Sequence, residues 1–221
     1  ILNLVGKETL KNLTSELMEL LGTSVAIYEK NGDYTHVEFD SSWCRLLDYS
    51  SRKLCNTDDN KKALHCGKWL CHDDCWKVSK TSIITKKSAD IKCHGEIRLY
   101  AEPIFTGDEA IGSINIGYGT PPTDDKSLSQ LSEKFDINYS TLKQKAIAYE
   151  PRPEYVINAA KKRLKSIAQL IGEIVSRKRA EQEIKFRESL FNNVLNTIPD
   201  LVSIHDKHMN ILYSNWNGFG K

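Results

Sequence analysis

Two turn signatures, each set between apolar runs, constrain this chain most. Residues 24–39 read SVAIYEKNGDYTHVEF, with the turn Lys30-Asn31-Gly32-Asp33 at the centre. Asn-Gly supplies the positive φ angles of a tight turn and is a strong short-range hairpin signal. Residues 96–118 repeat the arrangement: EIRLYAEPIF, the turn Thr106-Gly107-Asp108-Glu109, then AIGSINIGY. In the outgoing run Ile114, Ile116 and Tyr118 alternate with Ser113, Asn115 and Gly117, the period of a strand with two different faces. Two such hairpins predict an antiparallel sheet.

Helical patterns flank them. In residues 7–21 Leu10, Leu13, Leu17, Leu20 and Leu21 recur at three- and four-residue steps, and Gly22 stands where such a helix stops. Residues 76–87 fit a short helix. Residues 123–149 predict another, capped by Thr123 or Asp124, with Leu128, Leu131, Phe135 and Leu142 on one side. The longest periodic stretch is 153–195, where Val156, Ala160, Ile167, Leu170, Ile174, Ile184, Phe191 and Leu195 fall near a heptad register among many charges. A stripe that narrow favours a parallel coiled-coil dimer; a helix lying on its own domain stays open as the alternative. The fold class is α+β: an antiparallel sheet with flanking helices, followed by a long coiled-coil helix.

The cysteines carry the chemistry. Cys44, Cys55, Cys66, Cys71, Cys75 and Cys93 are crowded into one part of a 221-residue chain. A chain this long can bury its own core, and no signal peptide is visible, so metal binding or thiol redox chemistry is favoured over a disulfide framework. The run His65-Cys66, Cys71, Cys75, with Cys93-His94 further on, offers more soft donors than a tetrahedral site needs. Cys71, Cys75 and Cys93 form the expected nucleus, with Cys44 or Cys66 as the fourth ligand and zinc ahead of an iron–sulfur cluster. Reversible thiol–disulfide switching competes with this, as does plain burial of small hydrophobes. Haem is disfavoured, since no Cys-x-x-Cys-His is present. Trp43, Trp69 and Trp76 are expected to pack this segment on the sheet, Trp43 with a possible place in a ligand cavity. His94, Tyr100 and Glu102 are the other ligand-binding candidates, while His65 and His72 are expected to face solvent from a polar loop.

These residues resemble a known family. Trp43-Cys44-Arg45-Leu46, Cys71-His72-Asp73-Asp74-Cys75, Cys93-His94-Gly95, Ala101-Glu102-Pro103-Ile104 and Gly112 look like the PocR sensory domain over roughly residues 8–120. The resemblance implies a PAS-like sensor of small hydrocarbon derivatives, often joined to histidine kinases or transcription regulators. The stretch between Cys44 and Cys71 is longer than the family pattern, so family roles carry over to Cys44, Cys71, Cys75 and Cys93 and not to Cys55 or Cys66. A second resemblance begins at Arg187: FRESLFNNVLNTIPDLVSIHDKHMNILYSNWNGFG is similar to the opening of a PAS domain in methanogen sensor kinases.

No catalytic constellation or phosphate-binding glycine loop is visible, and His205 and His208 do not resemble phosphoacceptors. A net charge of +2 gives no basic face for nucleic acid. No apolar run approaches a membrane span. The expected organisation is a sensory domain over 1–122, a connecting helix over 123–149, a signalling helix over 153–197 and the start of a PAS domain over 198–221. The expected role is a cytoplasmic, non-catalytic sensory input piece of a longer protein, responding to a small molecule or redox change. A metal-stapled interaction domain without a ligand pocket is the alternative.

Overall fold

The computed structural model describes residues 1–215, which run α1 (Leu2–Val5), α2 (Lys7–Leu21), β1 (Ser24–Glu29), β2 (Tyr34–Phe39), α3 (Ser42–Lys53), α4 (Asn60–Leu64), α5 (Leu70–Thr85), β3 (Ala89–Lys92), β4 (Arg98–Thr106), β5 (Glu109–Tyr118), α6 (Asp125–Phe135), α7 (Tyr139–Ile147), α8 (Glu154–Thr197), β6 (Ser203–His205) and β7 (Ile211–Ser214). The chain divides into two compact units, Ile1–Ser176 and Arg177–Lys221.

The first unit is built on a five-stranded sheet in the order β2-β1-β5-β4-β3, and every neighbouring pair is antiparallel. Both expected hairpins are present as β1–β2 and β4–β5. Gly32 (φ 94°) and Gly107 (φ 55°) take the left-handed conformations their turns require. The edge strand β3 is too short to show a period in the sequence.

Because strand side chains alternate, the sheet has two different cores. On one face Val25, Ile27, Ile104, Ile114 and Ile116 pack with Leu10, Leu17 and Leu21 of α2 and with Ala160, Leu164, Ile167, Ala168, Ile171 and Val175 of α8. On the other, Leu99 and Ala101 pack with Val78 of α5. Beside them Trp43 and Leu47 of α3 join Leu128, Leu131, Phe135 and Leu142 of α6 and α7.

Two expectations about helices change. The 123–149 segment is two helices: α6 is capped by Asp124, whose side chain accepts from the Ser127 N–H, and ends at Asp136 in a left-handed conformation. Asn138 then caps α7. The 153–176 part of the long helix lies on its own domain instead of offering a free coiled-coil seam. Its buried positions recur at three- and four-residue steps and form a stripe wide enough for a sheet, while Leu170 of the heptad reading stays exposed. Gly172 allows the approach: a Cβ there would stand 2.0 Å from the Phe105 carbonyl oxygen.

In the second unit β6 and β7 form an antiparallel hairpin, the strand–turn–strand expected over 198–215. Asn215 closes it, its side-chain oxygen accepting from the Val202 N–H at 2.8 Å. Residues 216–221 of the expected PAS opening lie outside the described residues.

Candidate functional site

The site lies on the sheet face opposite α2 and α8. Three structural elements bring its sulfurs in. Cys44 sits in the first turn of α3, whose start is fixed by Ser41: the serine side chain accepts from the Cys44 N–H. Cys71 and Cys75, one helical turn apart, share a face of α5. Cys93 opens the β3–β4 turn, where its N–H donates to the Ile97 carbonyl at 2.9 Å.

The sequence places Cys71 and Cys75 in a loop, whereas the structure extends the helix back to Leu70. The reason is that the buried face of α5 is largely polar. His72, Asp74, Ser79 and Ser82 are all buried, so hydropathy shows no stripe. Their partners compensate: Ser82 Oγ meets Ser113 Oγ at 2.8 Å. Asn115 Nδ2 donates to Ser79 Oγ at 2.9 Å and to the Cys75 carbonyl at 3.1 Å. His72 does not face solvent either; its Nδ1 lies 2.7 Å from the Tyr34 hydroxyl.

Cys44, Cys71, Cys75 and Cys93 line one cavity, with Ser24, Tyr34, Phe39, Trp43, Leu47, Asp48, Gly95, Ile97, Leu99 and Asn115 among its other walls. About 40 Å³ of it is open to the centre of a water molecule, room for a few heavy atoms. The wall is predominantly apolar and carries no Lys, Arg or His side chain. Gly95 leaves room in the wall for Leu47, since a Cβ there would meet Leu47 Cδ1 at 2.6 Å and that side chain would have to shift.

Burial sets the protonation of these groups. It pushes the Cys71 and Cys75 thiols well above their ordinary range, where neighbouring sulfurs and carboxylates add to the effect, and it raises Cys44 against the lowering effect of Ser24 and Ser41. Cys93 is pushed up to about 12, first by burial and then by Cys44 and Asp74. The four are therefore thiols, not nucleophilic thiolates, at neutral pH in this arrangement. Burial also raises the Asp48 carboxyl, opposed by the Trp69 Nε1–H that donates to its Oδ1 at 2.8 Å.

Several residues named from the sequence stand elsewhere. Cys66 is bonded to Cys55 in a disulfide, so it is not free to complete a set of four. Tyr100 and Glu102 point to the opposite sheet face, where the Tyr100 hydroxyl donates to Glu102 Oε1 and the ring lies under Lys161 of α8. His94 is not a wall residue. Its Nδ1 and backbone N–H both meet Asp74 Oδ2, at 2.9 and 2.6 Å, and its side chain is 42% exposed. Trp43 does line the cavity. Among the described residues no three His, Cys, Asp or Glu side chains are gathered closely enough to hold a metal ion.

Asp48, Tyr34 and Asn115 are wall residues that sequence reasoning missed. Asp48 follows Cys44 by four positions, so a helix recognised over 42–53 would have pointed to it. Asn115 stands among the polar alternates of β5, facing away from Ile114 and Ile116.

The first unit is thus an α+β domain with a small, predominantly apolar cavity on one side of its sheet. The family model described as "Sensory domain found in PocR" matches residues 3–176, and the chain belongs to this family. The match ends at the residue that closes the first compact unit, Ser176. No curated protein and no solved structure matches the chain.

Proposed function

We propose that the chain is the sensory input module of a microbial signal-transduction protein, a histidine kinase in the reading favoured here. The stimulus, a small molecule or a redox change, is received in the four-thiol cavity. One observation carries this: each of the chain's free cysteines, Cys44, Cys71, Cys75 and Cys93, lines the same cavity. Membership of a sensory-domain family supports it. The module carries no catalysis of its own and works in the cytoplasm.

A soft metal centre, zinc ahead of iron–sulfur, is the occupant the donor set favours, because thiolates select such ions. Cys44, Cys71, Cys75 and Cys93 would hold it. Binding would draw the sulfurs together from their present spacing and release their protons. Thiol–disulfide switching among the same four is the second reading.

The signal leaves through α8, and residues 177–197 pair in parallel with a second copy of the chain. Ile184, Phe186, Leu190, Phe191 and Val194 are all exposed there, whereas before 177 the stripe of Ala160, Leu164, Ile167, Ala168, Ile171 and Val175 is committed to the domain core. No helix among the described residues is long and apolar enough to cross a membrane.

Anaerobic purification with metal analysis and absorbance tests the stimulus. One zinc per chain in a colourless sample, or a brown sample absorbing near 400 nm, supports a metal centre. Metal-free protein that loses thiols on oxidation supports the disulfide switch. Metal-free protein whose thiols and melting temperature respond to neither oxidant nor small organic compounds contradicts the sensory cavity.

A further inference from the structure

The cavity and α8 lie on opposite faces of the sheet, yet one polar cluster touches both the helix and the strands that frame the cavity. Lys161, near the start of α8, reaches the sheet between two tyrosines. Its Nζ lies 3.0 Å from Asp90 Oδ2 and 2.9 Å from the Tyr118 hydroxyl. It also stands 4.7 Å from the Tyr100 ring centre and 4.1 Å from that of Tyr118. The Tyr118 hydroxyl donates to Asp90 Oδ2 at 2.5 Å. Arg98 meets the other Asp90 oxygen at 2.7 Å and donates from Nε to the Tyr118 hydroxyl at 2.9 Å. Strands β3, β4 and β5 therefore all hold the same lysine.

The same strands run directly into the cavity wall. Asp90 is in β3, and Cys93, just past the end of that strand, contributes a wall sulfur. Tyr118 ends β5 and follows the wall residue Gly117. Leu99, between Arg98 and Tyr100 in β4, points into the cavity from the other side of the sheet. Gly117 and Tyr118 are successive residues of β5 and Cys93 is three residues from Asp90, so a displacement of either wall residue has a short backbone path to the cluster. β3 is the easier to move, being a four-residue edge strand paired on one side.

We propose that Lys161, Asp90, Tyr100 and Tyr118 form a latch by which the state of the four-thiol cavity sets how firmly the first turns of α8 are held to the sheet. The latch rests on the sensory reading for its purpose, but its existence as a coupling is testable without knowing the stimulus. Coupling is reciprocal, so opening the latch must alter the cavity.

The probe is methyl methanethiosulfonate applied to the full chain. A cysteine thiolate, its proton given to buffer, attacks the sulfenyl sulfur; an S–S bond to the methylthio group forms and methanesulfinate leaves. Peptide mass spectrometry follows each of the four free cysteines separately. Lys161→Met and Asp90→Asn should each speed Cys93 labelling about tenfold, with Cys44 and Cys71 changed far less. Tyr118→Phe, which keeps the ring, should give a smaller increase. Lys165→Met, at an exposed position on the same helix, should give none. Unchanged Cys93 labelling in Lys161→Met and Asp90→Asn overturns the latch. Equal acceleration of all four cysteines also overturns it, because that pattern is general loosening. Neither result bears on whether the cavity takes an occupant, which the metal and small-molecule measurements decide.

Discussion

Trp43 donates its indole N–H to the carbonyl of Gly95, 3.1 Å away, and is itself wholly buried. This bond ties α3 to the β3–β4 turn, so the two walls that carry Cys44 and Cys93 are held by one contact. Trp43→Phe leaves the Gly95 carbonyl without its partner in a buried place, which should cost about 1–3 kcal/mol. Gly95→Ala drives a Cβ to 2.6 Å from Leu47 Cδ1 and should cost about 1–3 kcal/mol by overpacking. Urea melts of both variants check these values.

Gly172→Ala tests the seating of α8. The new methyl would meet the Phe105 carbonyl oxygen at 2.0 Å, and a strand backbone cannot yield as a flexible side chain does. A loss of about 3 kcal/mol is expected, with faster proteolysis within 154–175 than within α2. Retention of full stability would mean that α8 is not seated on the sheet at this point.

His72 gives the domain an acid limit. Burial, with some help from His65, lowers its pKa from 6.5 to about 4, so the folded state holds it neutral beside Tyr34. The unfolded chain binds its proton first as pH falls. Stability is therefore full above the unfolded value and declines as pH drops from about 6.5 toward 4. By about pH 5 the loss should approach 2 kcal/mol. Melting curves at about pH 7 and pH 5 measure it, and His72→Gln should flatten the difference.

The Cys55–Cys66 disulfide closes a short loop, with a sequence separation of 11. Removing it through Cys55→Ser with Cys66→Ser should cost up to about 3 kcal/mol on the chain-entropy account. The melting temperature of wild-type protein should fall with reductant, and that of the double variant should not respond. The count of alkylatable thiols in the oxidised wild-type chain should equal that of the double variant.

The hairpins were legible because Asn-Gly and strand alternation report local geometry directly. So was α2, where Leu10, Leu13, Leu17 and Leu21 face one core. α5 was half hidden: its buried face is made of His72, Asp74, Ser79 and Ser82, and hydropathy cannot mark a helix whose inward side chains are polar and paired. The route of α8 was ambiguous for a related reason. Ala160, Ala168 and Gly172 sit against the sheet where small residues permit close approach, and small residues weigh little in an apolar stripe. Of the cavity, the four cysteines and Trp43 could be read from the motifs. Tyr100 and Glu102 could not be assigned a face without the register of β4 against β5. Cys66 could not be told from a ligand until its distance to Cys55 was known.

On the proposed coupling, a change inside the four-thiol cavity is felt by the helix on the far side of the sheet. Hydrogen exchange, followed by mass spectrometry before and after methylthiolation of the cavity cysteines, measures this directly. Faster exchange is expected at 154–165, with α2, on the same face, unchanged. Exchange that changes around Cys44, Cys71, Cys75 and Cys93 while 154–165 stays as it was would contradict it.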